Sequence, residues 1–110
     1  MAPSDSPTAV RALAELLDEH GPLSLEELAR ACCMEPGWVS ERLSAGLLQA
    51  EPDGSGWHFS SATVVRARRL ARLESTFGAD PQLAGLTADL IEEVTALRQR
   101  LRQLESQLHG

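Results

Sequence analysis

Lysine is missing from this chain of 110 residues, and so is tyrosine; all ten basic residues are arginine. The arginines are spread along the chain rather than clustered for recognition, so they read as a compositional bias. Aromatic residues make up 4 %, namely Trp38, Trp57, Phe59 and Phe77. A core built without aromatics must be Leu, Val and Ala, which favours helices over a β-sandwich. No apolar run approaches the ~20 residues that a membrane-spanning helix needs. The start, Met1 to Thr8, is rich in Pro and Ser and lacks a basic-then-apolar signal pattern, so a cytoplasmic protein without a membrane partner is expected. Cysteine is limited to the adjacent pair Cys32-Cys33, which excludes a disulfide framework and a C-x-x-C redox motif. Neither His20, His58 nor His109 stands at ligand spacing from them, so Cys32 reads as a core filler, and no metal or cofactor is expected. Catalytic signatures are missing too: there is no Ser/His/Asp order, phosphate-binding Gly-rich loop, H-E-x-x-H or nucleophile elbow. Glu26-Glu27 and Glu92-Glu93 are neighbours only in sequence and diverge by ~100° on a helix. These absences point away from an enzyme and toward a binding module.

Charge is present and unevenly placed. The net charge is −6; residues 1–60 hold ten acids against three arginines, and residues 61–110 six acids against seven arginines. An acidic front half discourages phosphate binding and suits a basic partner.

Periodicity divides the chain into a disordered leader over residues 1–7, a head over 8–60 and a helical region over 61–110. A helix is predicted over Thr8–His20 from Val10, Leu13, Ala14 and Leu17, with Gly21-Pro22 as its stop. Ser24, with Glu27 three residues on, forms a capping box that opens a helix carrying Leu28, Ala29 and Cys32 on one side. Pro36 suits the first position of a second short helix, whose Val39 and Leu43 face inward and which Gly46 ends. This is a helix-turn-helix. Four residues after Ala29, where its turn favours glycine, stands Cys33. Leu47–Glu51 and Trp57–Phe59 flank a Pro/Gly-rich loop and predict a β-hairpin wing. Ser60 or Ser61 caps a helix over Ala62–Phe77 with Val65, Leu70, Leu73 and Phe77 as its apolar side. Asp80-Pro81 starts the last helix. There Leu90, Val94, Leu97, Leu101, Leu104 and Leu108 recur at spacings of 4, 3, 4, 3 and 4, a heptad seam. The fold class is therefore mostly α: a winged helix-turn-helix head with a small hairpin, followed by a C-terminal coiled coil or bundle. Coiled-coil pairing makes the six seam residues the dimerisation site of a homodimer. In a parallel pair Glu93–Arg98 and Arg100–Glu105 attract one another; an antiparallel pair, or a bundle with the Ala62–Phe77 helix, are the alternatives.

A DNA-reading helix presents Arg, Lys, Asn or Gln to base edges. The second short helix offers Pro36, Gly37, Trp38, Ser40, Glu41 and Ser44 outward, with Arg42 as its only base. Nucleic acid is thus not the expected partner. Arg66, Arg68, Arg69 and Arg72 form a basic stripe that suits phosphates or the acidic head of the same chain; without a basic reading helix, the head is favoured. Glu35, Trp38, Glu41 and Arg42 are the candidate partner-binding residues. Trp38 is either an outward anchor or a partly buried side chain packed on the wing.

The segment LSLEELARACCMEPGWVSERLSAGLL, the aromatic-x-aromatic WHF of the wing, the arginine-rich helix and the proline-started helix bearing DLIEEVTALRQRL resemble, in order and spacing, the chaperone-modulator family CbpM, a shortened MerR-like winged helix-turn-helix. The likeness spans about residues 23–108; the Thr8–His20 helix and Cys33 depart from the family pattern. The resemblance implies a protein that binds and inhibits the J-domain of a DnaJ/CbpA-like co-chaperone, whose basic helix an acidic head would suit. A MerR-type DNA-binding transcriptional regulator is the alternative.

Overall fold

The computed structural model describes residues 22–53 and 56–109, four helices and one hairpin: α1 Leu25–Ala31, α2 Pro36–Ser44, β1 Glu51–Asp53, β2 Gly56–His58, α3 Ser61–Phe77 and α4 Pro81–His109. The leader and the Thr8–His20 helix lie outside the described residues.

Local chemistry sets most boundaries. Ser24 and Glu27 complete the capping box in both directions: the Glu27 amide donates to the Ser24 hydroxyl at 3.2 Å, and the Ser24 amide to the Glu27 carboxylate at 2.9 Å. Pro36 occupies the first turn of α2 behind Glu35, which makes no side-chain cap. Ser60 accepts from the Thr63 amide to open α3, and Gly78 closes it in the left-handed conformation at φ 64°. Asp80 accepts from the Leu83 amide at 2.9 Å and opens α4.

Between α1 and α2 the chain turns through Cys33, an exposed non-glycine residue at φ 58°. A Cβ in this region costs about 1–2 kcal/mol. Cys33→Gly is therefore expected to stabilise the fold by about 0.5–1 kcal/mol after its extra unfolded-state entropy is subtracted. Chemical denaturation checks this; an unchanged or lower midpoint would show that the turn is unstrained.

The wing differs from expectation. The antiparallel strands pair Glu51 with His58, Pro52 with Trp57 and Asp53 with Gly56, so Leu47–Ala50 precedes the hairpin instead of forming its first strand. Leu48 enters the core, and Leu47 lies against Gly85 of α4, where an added Cβ would sit 2.6 Å from a Leu47 methyl. Beyond β2, the Phe59 amide donates to the Leu23 carbonyl at 3.1 Å, which ties the start of the head to the hairpin.

One core joins head and helices. Leu28, Val39, Phe59, Val64 and Leu70 are fully buried, with Ala29, Cys32, Leu48, Ala67, Ala71, Ala84 and Ala88 around them. Cys32 fills space: burial pushes its thiol up to about 11 against the pull of Arg68, so it stays protonated. The buried side of α3 is Val64, Ala67, Leu70 and Ala71, while Val65 and Leu73 are half-buried and Phe77 is exposed. Of the expected stripe, Leu70 is buried and Leu73 packs against the core, while Val64 takes the place of Val65, and Ala67 and Ala71 complete the face. On α4 the packed face is Ala84, Gly85 and Ala88, again small. At ~100° per residue this face lies roughly opposite the leucine seam. Leu90, Val94, Leu97, Leu101, Leu104 and Leu108 are all exposed, at 44–82 %. α3 packs on the small residues of α4, and among the described residues nothing covers the leucine seam.

Candidate functional site

Helix α2 occupies the reading position of a helix-turn-helix, so the site begins with what it exposes. Its Pro36 ring sets the helix start, and Val39 fixes its rotation by sinking into the core. Glu35, Gly37, Ser40, Glu41 and Ser44 are then left exposed, and Trp38 half-buried.

Arg42 is not among them. Lying three residues after Val39, it shares the inward face and is only 8 % exposed. Its Nε donates to Glu74 Oε2 at 3.0 Å and its Nη2 to Glu74 Oε1 at 2.6 Å, a two-pronged pair with the last turns of α3. Nη1 reaches Glu41 at 3.2 Å. Trp38 joins the same carboxylate: its indole Nε1 donates to Glu74 Oε1 at 3.0 Å, and the Arg42 guanidinium lies 5.0 Å from the centre of its ring. Burial tends to raise the Glu74 carboxyl, but the bonds from Arg42 and Trp38 outweigh it and hold it below its ordinary value near 4.5.

The structure therefore corrects the expectation for Arg42 and refines that for Trp38. Arg42 is not an outward partner contact, since its cationic atoms are held by Glu74 and Glu41. Trp38 is half-buried and anchored on α3 through Glu74. Glu35 and Glu41 remain on the surface. Glu74, which sequence reasoning missed, is the residue that brings Trp38 and Arg42 together. The inward side of Arg42 was legible in the spacing from Val39, but its partner, 32 residues away, left no local signal.

Within the basic stripe, Arg66 is reassigned. Arg66 donates to the Leu47 carbonyl at 2.7 Å and, through Nη1, to Asp89 and Glu92 at 2.8 Å each. It ties α4 to α3 and to the turn after α2, so its carboxylate partners are on the C-terminal helix and not on the acidic head. Arg68, Arg69 and Arg72 are half-buried along α3. On the head, Glu26, Glu27, Glu35, Glu41 and Glu51 are exposed, and Arg30 is the one exposed arginine among its described residues. No group of three or more His, Cys, Asp or Glu among the described residues is placed to hold a metal ion. No helix described is long and apolar enough to cross a membrane.

Comparison with known proteins agrees with this architecture. A family model described as MerR HTH family regulatory protein matches residues 23–106. The chaperone modulatory proteins CbpM of Coxiella burnetii strains Dugway 5J108-111 and RSA 331 / Henzerling II are each 27 % identical over 93 residues, covering 82 % of this chain and 86 % of the relative. No solved structure matches significantly. A match across the helix-turn-helix, the wing and both long helices means that the chain belongs to the MerR helix-turn-helix regulatory family, where its similarity is to the chaperone modulatory proteins CbpM.

Proposed function

We propose that this chain is a non-enzymatic chaperone modulator that binds and inhibits the J-domain of a DnaJ- or CbpA-like co-chaperone, acting as a homodimer. The observation that carries the proposal is the fate of Arg42. A DNA reader needs cations for phosphate and donors for base edges. In the reading position this protein exposes Glu35, Ser40, Glu41 and Ser44, and its single arginine is turned inward onto Glu74. Such a surface repels duplex phosphates and complements a basic protein helix. The names of the relatives support the chaperone-modulating role, and the transcription-factor alternative rests on the family model alone.

The uncovered seam supports the dimer. Because it faces away from the head, a second copy of α4 can cover it without displacing the core. In the parallel arrangement Glu93–Arg98 and Arg100–Glu105 are attractive pairs.

Binding kinetics against the J-domain of the co-chaperone from the same cell test the partner. Association is expected to be fast and to weaken with salt, because exposed charges are screened beyond about 10 Å at 0.1 M ionic strength. Glu41→Arg should slow association severalfold without unfolding the head, and the protein should suppress co-chaperone stimulation of a DnaK-type ATPase. Gel shifts at low salt should show weak duplex binding at most. Sequence-specific DNA binding at nanomolar concentration, with no J-domain binding, would reverse the assignment.

A further inference from the structure

The aromatic residues of this protein are few, and the structure sorts them by what they are free to do. Phe59 is in the core, and the Trp38 indole N–H is held by Glu74. Phe77 is exposed at the end of α3. Trp57, on β2 of the wing, is 52 % exposed and borders a pocket. That open pocket has a volume of about 460 Å³ and lies between the wing and the end of α2; its walls are Leu43, Leu48, Ala50 and Trp57, with Ser44 and Gln49 as the polar members.

Several features make this a place for a partner side chain. Its walls are mostly apolar: Leu43 and Ser44 stand at the end of α2 and Trp57 opposite Pro52 in the hairpin register, while Leu48, Gln49 and Ala50 come from the connection between them. An exposed indole beside a small apolar recess is the arrangement in which interface energy concentrates. The recess is lined without a charged residue, but the head that carries it is acidic: Glu41 stands one turn before Ser44 on the same helix, and the described head exposes five glutamates against one arginine.

We infer that the recess between Trp57 and the end of α2 is the anchor point for the partner, and that it takes an aliphatic side chain from a basic helical surface. The aliphatic group fills the recess against Leu43, Leu48 and Ala50. A neighbouring cation of the same helix lies over the indole face. The acidic surface then attracts and orients the partner, and Trp57 retains it. This inference rests on the J-domain proposal above and assigns the contact within it.

Two variants test it without relying on one. Trp57→Ala removes the wall. Ser44→Arg, at an exposed helix position, keeps the wall and places a bulky cation at the recess. Both leave the Phe59–Leu28–Leu70 core and the Trp38–Arg42–Glu74 contacts intact, which thermal unfolding confirms before use. Dissociation from the immobilised J-domain of the DnaJ/CbpA-like co-chaperone is measured for the full-length protein, the two variants and Trp38→Phe. Expected is a loss of affinity of about tenfold or more for Trp57→Ala, mainly as faster dissociation, and a comparable loss for Ser44→Arg. Trp38→Phe should bind within about threefold of the parent, a factor below the tenfold that defines an anchor. If the parent binds and both recess variants bind equally well, the anchor lies elsewhere while the J-domain proposal stands. If the parent itself does not bind, both fall together.

Discussion

Leu97→Asp is expected to turn the proposed homodimer into a monomer. Leu97 is central in the seam, 56 % exposed in the single chain, with Val94 and Leu101 on either side. Burying a leucine contributes about 1.5–3 kcal/mol, and the dimer would lose that twice. It would also gain two carboxylates in an apolar seam, where each must be protonated or left poorly solvated. The combined effect should weaken association by at least about a hundredfold. Light scattering should show the mass halve, and circular dichroism should show some helix lost, because among the described residues α4 is exposed from Glu92 onward. The head should stay folded, since Gly85 beside Leu47, Ala88 in the core and the Asp89 and Glu92 partners of Arg66 all precede Leu97. For the same reason a truncation that tests the seam should fall after Thr95: a cut after Thr87 would also remove Ala88 from the core and the carboxylates that hold Arg66. An unchanged dimer in both the Leu97→Asp and the truncated protein would locate the interface elsewhere.

Glu74→Ala is expected to be the most destabilising exposed-looking change in the sequence, with a cost of about 3–5 kcal/mol. Truncating one partner of a buried pair leaves the other charge uncompensated, and here both Arg42 and the Trp38 N–H lose their acceptor at once. Only Glu41, which is exposed, would still reach Arg42. Denaturant titration measures the loss. The double change Arg42→Met with Glu74→Leu should recover much of it, because an apolar pair removes the stranded charge. A cost below about 1 kcal/mol would mean that water replaces the carboxylate freely. The pair also sets an acid limit. The Glu74 carboxyl titrates lower in the folded than in the unfolded protein, so the stability it contributes is complete above its ordinary value near 4.5 and is lost as pH falls through the depressed folded value. In Glu74→Gln the acid branch of a stability–pH curve should flatten below pH 4.5.

Features encoded within a few residues were legible from the sequence. The Ser24–Glu27 box, the Ser60 cap, Gly78 at the end of α3 and Asp80 before α4 each act through bonds spanning three to five positions, and Pro36 at the head of α2 acts through its fixed ring. The winged helix-turn-helix followed from them. The seam was equally plain, because a 4-3 spacing defines a helix face whatever that face later meets.

Partners and faces were another matter. Leu47 and Leu48 look like a strand because apolar residues announce burial and not the backbone geometry in which they are buried; the tertiary structure sends them to Gly85 and to the core. Arg42 looks like a surface base until Glu74, 32 residues on, is brought beside it, and Arg66 looks like part of a stripe that suits the acidic head until Asp89 and Glu92 meet it across the helix pair. The side of α4 that contacts the head is marked only by Ala84, Gly85 and Ala88, residues too small to register in a hydrophobic pattern yet decisive because they let backbones approach closely. Element type and element ends were thus determined by the sequence itself, since capping and periodicity are local. Which charges are neutralised within the chain, and which apolar face remains for another molecule, was decided only by the tertiary structure, since pairing energy and close packing depend on residues that the chain keeps far apart.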